Sequence, residues 1–314
     1  MSAFARYVSF IRCSAPAMWN SPTLLLCVAS VCWAMNPIIG RAVRDLASPL
    51  SLAFWRWMVA FLCVLPFAWR HLKVDVQTLR ASWLLVTLLG FFGVGLFAYI
   101  VYSGLQYTTA TNNLLLQSIM PIMILLMPTV LFGERLLPLL ALSAAMSFAG
   151  IMWIVTKGHP FNLVGGISVN RGDLLSVAGV FLYSAYATFL RKVPAVHHLS
   201  LLAALFAIGA GSLALPYIST LARNGLSMPP MKLAAAILYV GVFPSLVAYA
   251  LFNRSVTLIG SVRAGAYMNL PPVLGVGLAM LLLGEGIASY HFIGALLIIG
   301  AIAVSRGYRP RANA

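Results

Sequence analysis

Residues Thr109–Arg135 read TATNNLLLQSIMPIMILLMPTVLFGER. The stretch opens on small and amide side chains, runs apolar for about one bilayer crossing, carries Pro121 near its middle and stops at Gly133-Glu134. A proline inside a helix removes one backbone hydrogen bond and clashes with the preceding turn, so the segment reads as a kinked membrane helix. A second copy follows at Gly260–Glu285, GSVRAGAYMNLPPVLGVGLAMLLLGE. Pro121 lies 13 residues before Glu134, and Pro272 lies 13 before Glu285.

The rest of the chain obeys the same doubling. LLCVASV (Leu25–Val31) matches LLSVAGV (Leu174–Val180), Pro66 falls on Pro216, and LFAY (Leu96–Tyr99) falls on LVAY (Leu246–Tyr249), all at an offset of about 150 residues. A collinear series of this kind is an internal duplication. Apolar windows near the ~20 residues of a crossing fall at 22–40, 50–69, 82–103, 111–132, 138–155, 173–190, 199–218, 232–253, 262–283 and 287–305. The expectation is an all-α membrane protein of ten transmembrane helices, with one repeat over 22–156, a connecting loop over 157–171, a second repeat over 172–306, and tails at 1–21 and 307–314. Five helices per repeat is an odd number, so the second copy enters the membrane from the opposite side, as in many secondary transporters.

Composition supports that class. Of 314 residues 62% are hydrophobic and 8% charged, against about 25% charged in soluble domains. The net charge of +15 is scattered over tails and connections rather than gathered in a stripe, which argues against a nucleic-acid partner. With the N-terminus in the cytoplasm, Arg6, Arg12, Arg70, Lys73, Arg80, Arg135, Arg191, Lys192, Arg254, Arg263, Arg306, Arg309 and Arg311 lie inside, thirteen in all. Six lie outside: Arg41, Arg44, Lys157, Arg171, Arg223 and Lys232. This bias places both termini in the cytoplasm. Cys27, Cys32 and Cys63 sit in apolar spans as small hydrophobes, with Cys13 before them, and no metal-ligand spacing is present.

The resemblance these features carry is to the drug/metabolite transporter superfamily, and within it to the ten-helix EamA-type exporters. It rests on two five-helix repeats, each with a proline in its fourth helix followed by an apolar run and Gly-Glu. GDLL (Gly172–Leu175) at the start of the second repeat and Arg56 in the second helix add to it. The resemblance implies an inner-membrane carrier exporting amino acids or related metabolites from a central cavity, with a branch that exports aromatic amino acids as one placement. No cofactor is implied. The expected partners are a small-molecule substrate and the lipid bilayer, with the protein a monomer or weak oligomer.

Candidate substrate-binding residues cluster around the kinks. Pro121, Pro271 and Pro272 free backbone groups that must face protein or a water-filled cavity. Asn113, Gln117 and Ser118 on the fourth span, and Tyr267 and Asn269 on the ninth, bring hydrogen-bonding groups there, either for a solute or as interhelical glue. Tyr99 and Tyr249 occupy equivalent places in the repeats and read as opposed gates. Trp33, Asn36, Tyr183 and Tyr186 are candidates for the same cavity. Tyr102 and Tyr290 read as interfacial anchors. Gly90, Gly93, Gly95, Gly241 and Pro244 are candidate hinges.

Arg56 reads as structural, close enough to its helix start to snorkel outward, with a contact to a substrate carboxylate as the other reading. All five acids, Asp45, Asp75, Glu134, Asp173 and Glu285, fall at helix ends or connections, and Glu134 and Glu285 read as caps of the next helix or partners of a nearby charge. No mid-span carboxylate, H-x-x-x-H pair or nucleophile motif is present, which leaves a membrane enzyme on lipid-linked substrates without machinery. A non-transporting receptor or assembly subunit gives no reason for the duplication. Reporter fusions at 193–198 and at the C-terminus are both expected to read cytoplasmic; a periplasmic signal from either contradicts the five-plus-five arrangement.

Overall fold

The computed structural model describes residues 17–133, 138–159, 170–224, 229–259, 267 and 270–306. Every regular element among them is helical. The first half contains α1 (Pro22–Ala42), α2 (Pro49–Ala81), α3 (Trp83–Tyr107), α4 (Ala110–Gln117), α5 (Met120–Phe132) and α6 (Pro138–Val155). The second contains α7 (Arg171–Leu190), α8 (His198–Asn224), α9 (231–259), α10 (Leu270–Leu283) and α11 (Ser289–Arg306). Six helices among the described residues are long and apolar enough to cross a membrane, in α1, α2, α3, α7, α8 and α9. The remaining apolar stretches, Ala141–Val155, Leu270–Leu283 and Ser289–Ala301, are shorter. Among the described residues, six of the ten expected crossings thus reach the length of a span.

Helix α2 continues to Ala81 rather than ending near residue 69. Its last turns hold Arg70, Lys73, Asp75, Gln77 and Arg80 and no glycine or proline. Hydropathy marks where such a helix leaves hydrocarbon, whereas helix propensity decides where it stops. The start is set by Ser48, whose side chain accepts from the Ser51 amide at 3.2 Å, and by Pro49 in the first turn.

Equivalent helices of the two repeats pack antiparallel. Along α2 and α8, Phe54 stacks on Tyr217 at 4.5 Å, Trp57 on Phe206 at 5.1 Å and His71 on His197 at 3.5 Å, so rising numbers in one meet falling numbers in the other. Along α6 and α11, Met146 faces Gly300 and Ile154 faces Gly294. Cross-repeat pairs answer each other in the same way. Helix α3 runs against α7 through Phe97–Tyr183 and Gly104–Gly172, and α9 runs against α1 through Pro244–Trp33 and Ser255–Pro22. Contacts that pair up when the repeats are exchanged, with equivalent helices reversed, are what inverted topology requires. We call the end of the bundle holding residues 42–49, 107–110, 170–173 and 284–289 the connector end, and the opposite one the terminal end.

Two devices repeat in register. The third helix of each repeat widens into a π-helical segment, Leu89–Leu96 in α3 and Phe243–Val247 in α9. Such segments insert an extra residue into the turn and are frequent at functional sites. In α3 the widening lets the chain press on its neighbour: a methyl on Gly93 would lie 2.0 Å from Cδ2 of Tyr186. The second device is the Gly-Glu pair. Gly133 (φ 68°) and Gly284 (φ 65°) both end their helices in the left-handed region that favours glycine, each returning its amide to the carbonyl four residues back at 3.1 Å.

Glu134 lies outside the described residues, but Glu285 does not cap the helix that follows it. Its carboxylate reaches into the other repeat. Oε1 accepts from the Ala110 amide at 2.8 Å; Oε2 accepts from the Thr111 amide at 2.8 Å and from the Thr111 hydroxyl at 2.7 Å. A negative charge on the free amides at a helix N-terminus is stabilised by up to about 2 kcal/mol in partly buried geometry. Glu285→Ala is expected to lower the midpoint of thermal unfolding in detergent by several degrees, with Glu285→Gln intermediate. An unchanged midpoint for Glu285→Ala would remove this cap from the stability of the fold.

Candidate functional site

The kink expected at Pro121 is a full break. Pro121 stands second in α5, so the Gln117 carbonyl receives no amide from it, and the chain turns through Ser118 and Ile119 between α4 and α5. The Ser118 hydroxyl donates to the carbonyl of Leu115. On the α10 side, Pro271 and Pro272 fall in the first turn of the described helix. Asn269 lies outside the described residues.

The amides of α4 face inward and bind protein. The Asn113 side chain donates to Ser176 on α7 at 2.8 Å, and the Gln117 side chain donates to the Asn113 oxygen. The Asn112 amide nitrogen donates to both oxygens of Asp173 at 3.2 and 3.3 Å, and the Thr108 hydroxyl donates to the same carboxylate. Asp173 has 0% exposure although it stands in the first turn of its helix. The Asn112 oxygen meets Nε2 of His291 on α11 at 2.7 Å. Because Nδ1 of His291 accepts from the Ala288 amide at 2.9 Å, Nε2 carries the proton and donates to Asn112. Helices α3, α4, α7 and α11 are thus tied together at the connector end through one asparagine. For Asn113 the packing role is what the bonding displays.

A second cluster occupies the middle of the bundle. Trp33 donates its indole N–H to the Pro244 carbonyl at 3.1 Å, inside the π-helical segment of α9, and meets Tyr249 edge to face at 5.9 Å. The rings of Tyr183 and Tyr186 lie 5.4 Å apart, and the phenols of both come within electrostatic range of Tyr249. Trp33, Tyr183, Tyr186 and Tyr249 are all half-buried. The structure therefore brings these four candidates together from α1, α7 and α9.

Asn36 joins them through Arg56. Arg56 is 8% exposed and its guanidinium does not snorkel: Nη1 donates to the Asn36 oxygen and to the Tyr102 hydroxyl, each at 3.1 Å, and Nε donates to the Ser245 hydroxyl at 3.4 Å. Tyr102 also donates to Asn36 at 2.9 Å and is 2% exposed, so it is a core residue and not an interfacial anchor.

Other candidates stand apart. Tyr99 is 38% exposed, more than the half-buried residues of the central cluster. Tyr267 lies toward the terminal end, its hydroxyl 3.4 Å from that of Thr23. Ser118 turns away into an apolar crevice of about 490 Å³ among α4, α10 and α11, where Pro272, Val273, Phe292 and His291 also lie. Gly90 and Gly95, inside the π-helical segment of α3, and Gly241, just before that of α9, pack closely on Ile208, Ser212 and Val59 respectively.

Among the described residues, an all-helical bundle with reversed repeats around a half-buried aromatic and polar centre has the build of a multi-pass membrane protein. The chain belongs to the EamA-like transporter family, which it matches twice, over residues 20–156 and 170–307, and so to the drug/metabolite transporters. An uncharacterized transporter of Archaeoglobus fulgidus is 29% identical over 90% of this chain and 96% of its own. A probable amino-acid metabolite efflux pump of Escherichia coli is 24% identical over 90% of this chain and 93% of its own. A protein of known crystal structure shares the fold with a TM-score of 0.58 and 20% identity, covering 90% of this chain and 96% of that one.

Proposed function

We propose that the chain carries small amphipathic metabolites, amino acids above all and aromatic ones among them, across the inner membrane by alternating access, in the direction of export. The observation that carries this reading is the central cluster itself. Trp33, Tyr183, Tyr186 and Tyr249 supply ring faces and phenol hydroxyls to one interior point, beside the π-helical segment of α9 and the reversed packing of α1 on α9. Ring faces receive an apolar side chain, and the phenol hydroxyls receive the polar end. The amino-acid efflux name of the Escherichia coli relative supports the substrate class.

Alternating access needs two arrangements of nearly equal energy. The connector end is closed here by the Asn112 network and by Glu285 on α4, so opening must exchange these bonds for others. No described acid faces the central cluster. Asp173 and Glu285 are held by Thr108, Asn112 and the α4 N-terminus, Asp45 lies beside Arg44, and Asp75 accepts from the His197 amide. The carrier accordingly works down a substrate gradient without moving protons.

The test is uptake of a radiolabelled amino-acid panel into proteoliposomes of the purified protein. Facilitated exchange is expected without an imposed pH gradient. Tyr183→Ala and Tyr249→Ala are expected to reduce it about tenfold or more, the scale of one lost contact to a charged or zwitterionic solute. Tyr99→Ala is expected to leave it within about twofold, a surface change. Uphill accumulation driven by a pH gradient alone would overturn the facilitated mechanism, and full activity in both central variants would move the site elsewhere.

A further inference from the structure

Arg56 carries a charge that the described protein does not neutralise. Its three hydrogen-bond partners, Asn36, Tyr102 and Ser245, are all neutral, and the guanidinium lies 4.5 Å over the face of Trp57. The described acids are engaged elsewhere, as set out above. A guanidinium cannot shed its proton, and a buried charge without a counter-ion is costly. Four helices, α1, α2, α3 and α9, nevertheless hold this group in one orientation.

That orientation leaves one nitrogen over. Nε and Nη1 take all three partners, and Nη2 donates to none of the described residues. Nη2 is not sealed away either. Nη2 of Arg56 is not among the fully covered side-chain atoms that lack a hydrogen-bond partner. The free N–H pair is therefore not fully covered by protein, and the Tyr183 phenol, which itself neighbours Tyr249, lies within its electrostatic range.

We infer that Arg56 is the specificity-determining residue for a single carboxylate on the transported solute, received by Nη2 and the neighbouring phenols while Trp33 and Tyr249 take the apolar part. This deepens the proposed transport function and rests on it for its physiological meaning. Two features of the site narrow the class. Among the described residues no second cation borders Arg56, so a monoanion is matched and a dianionic phosphate ester is not. No described acid is present to hold an ammonium, so the carboxylate is recognised and the amine is not. Asn36, Tyr102 and Ser245 are positioning residues that aim the guanidinium.

The test compares four probes that share one ring: L-phenylalanine, 3-phenylpropionate, L-phenylalaninamide and phenethylamine. Each is used as a competitor of radiolabelled phenylalanine exchange in proteoliposomes, and separately as a stabiliser of the detergent-solubilised protein in thermal unfolding. The wild-type protein is expected to favour phenylalanine and 3-phenylpropionate over the amide and the amine by about tenfold or more, since one charge-assisted hydrogen bond is at stake. Arg56→Lys is expected to keep a reduced preference for the acids and Arg56→Gln to abolish it. The wild-type comparison decides even if Arg56→Gln fails to fold. Exchange that proceeds with acid and amide equally effective overturns the role of Arg56 and leaves the carrier reading intact. Selective stabilisation by the acids without exchange supports the carboxylate site and overturns the carrier reading. Neither exchange nor acid-selective stabilisation overturns both.

Discussion

The hold of Glu285 on the first turn of α4 is the interaction on which the arrangement depends. Helix α4 is eight residues long before it breaks ahead of Pro121, so its N-terminal amides are a large part of its backbone. In hydrocarbon such groups must find partners within the protein. Thr109 supplies one by accepting from the Asn112 amide at 3.1 Å, and Glu285 supplies the Ala110 and Thr111 acceptors from the other repeat. Gly284 makes the reach possible, because its left-handed backbone reverses the chain at the end of α10. A short helix that could not stand alone is thereby fixed to the opposite half. That fixing also places Asn112 between Asp173 and His291, and the whole connector end follows from it.

The centre of the bundle is built on a different principle. There the backbone is loosened rather than capped, by π-helical segments at matching places in α3 and α9. In α9 the segment presents the Pro244 carbonyl to Trp33 and Ser245 to Arg56. In α3 it brings Gly93 onto Tyr186. Aromatic rings and a fixed guanidinium thus converge where the helices are most easily reshaped, while the firm polar ties lie toward one end. Under the proposed transport function this separation would let the ties exchange while the central groups stay aimed at the solute.

Much of this was legible in the residues, and what was not has a physical reason. The offset near 150 and the paired proline and Gly-Glu motifs disclosed a duplicated chain, and an odd number of spans implied the reversal that the antiparallel pairing of α2 with α8 displays. The motif told that Glu285 would cap something; which helix it caps depends on a partner 174 and 175 residues away. Arg56 is similar, because its partners stand 20, 46 and 189 residues distant, and only packing reveals that a charge near a helix start is enclosed. Tyr102, expected as an interfacial anchor, is enclosed, whereas Tyr99 is 38% exposed. They lie three residues apart on α3, and local composition does not say which of two faces of an apolar helix meets protein and which meets lipid. Repeat equivalence suggested that Tyr99 would match Tyr249, but the halves are not identical, and only Tyr249 meets Trp33.

The central claim is that one solute-binding centre is exposed alternately at the two ends, with the Glu285 and Asn112 ties breaking when the connector end opens. Spin-label distances measured by double electron–electron resonance test it most directly. One pair would join Tyr107 and Ser289 at the connector end, and the other Arg191 and Leu258 at the terminal end, all exposed positions. Saturating L-phenylalanine is expected to add a longer-distance population to the first pair and a shorter-distance population to the second. Distances at both ends that stay single and unchanged, at substrate concentrations that sustain exchange in proteoliposomes, would contradict it.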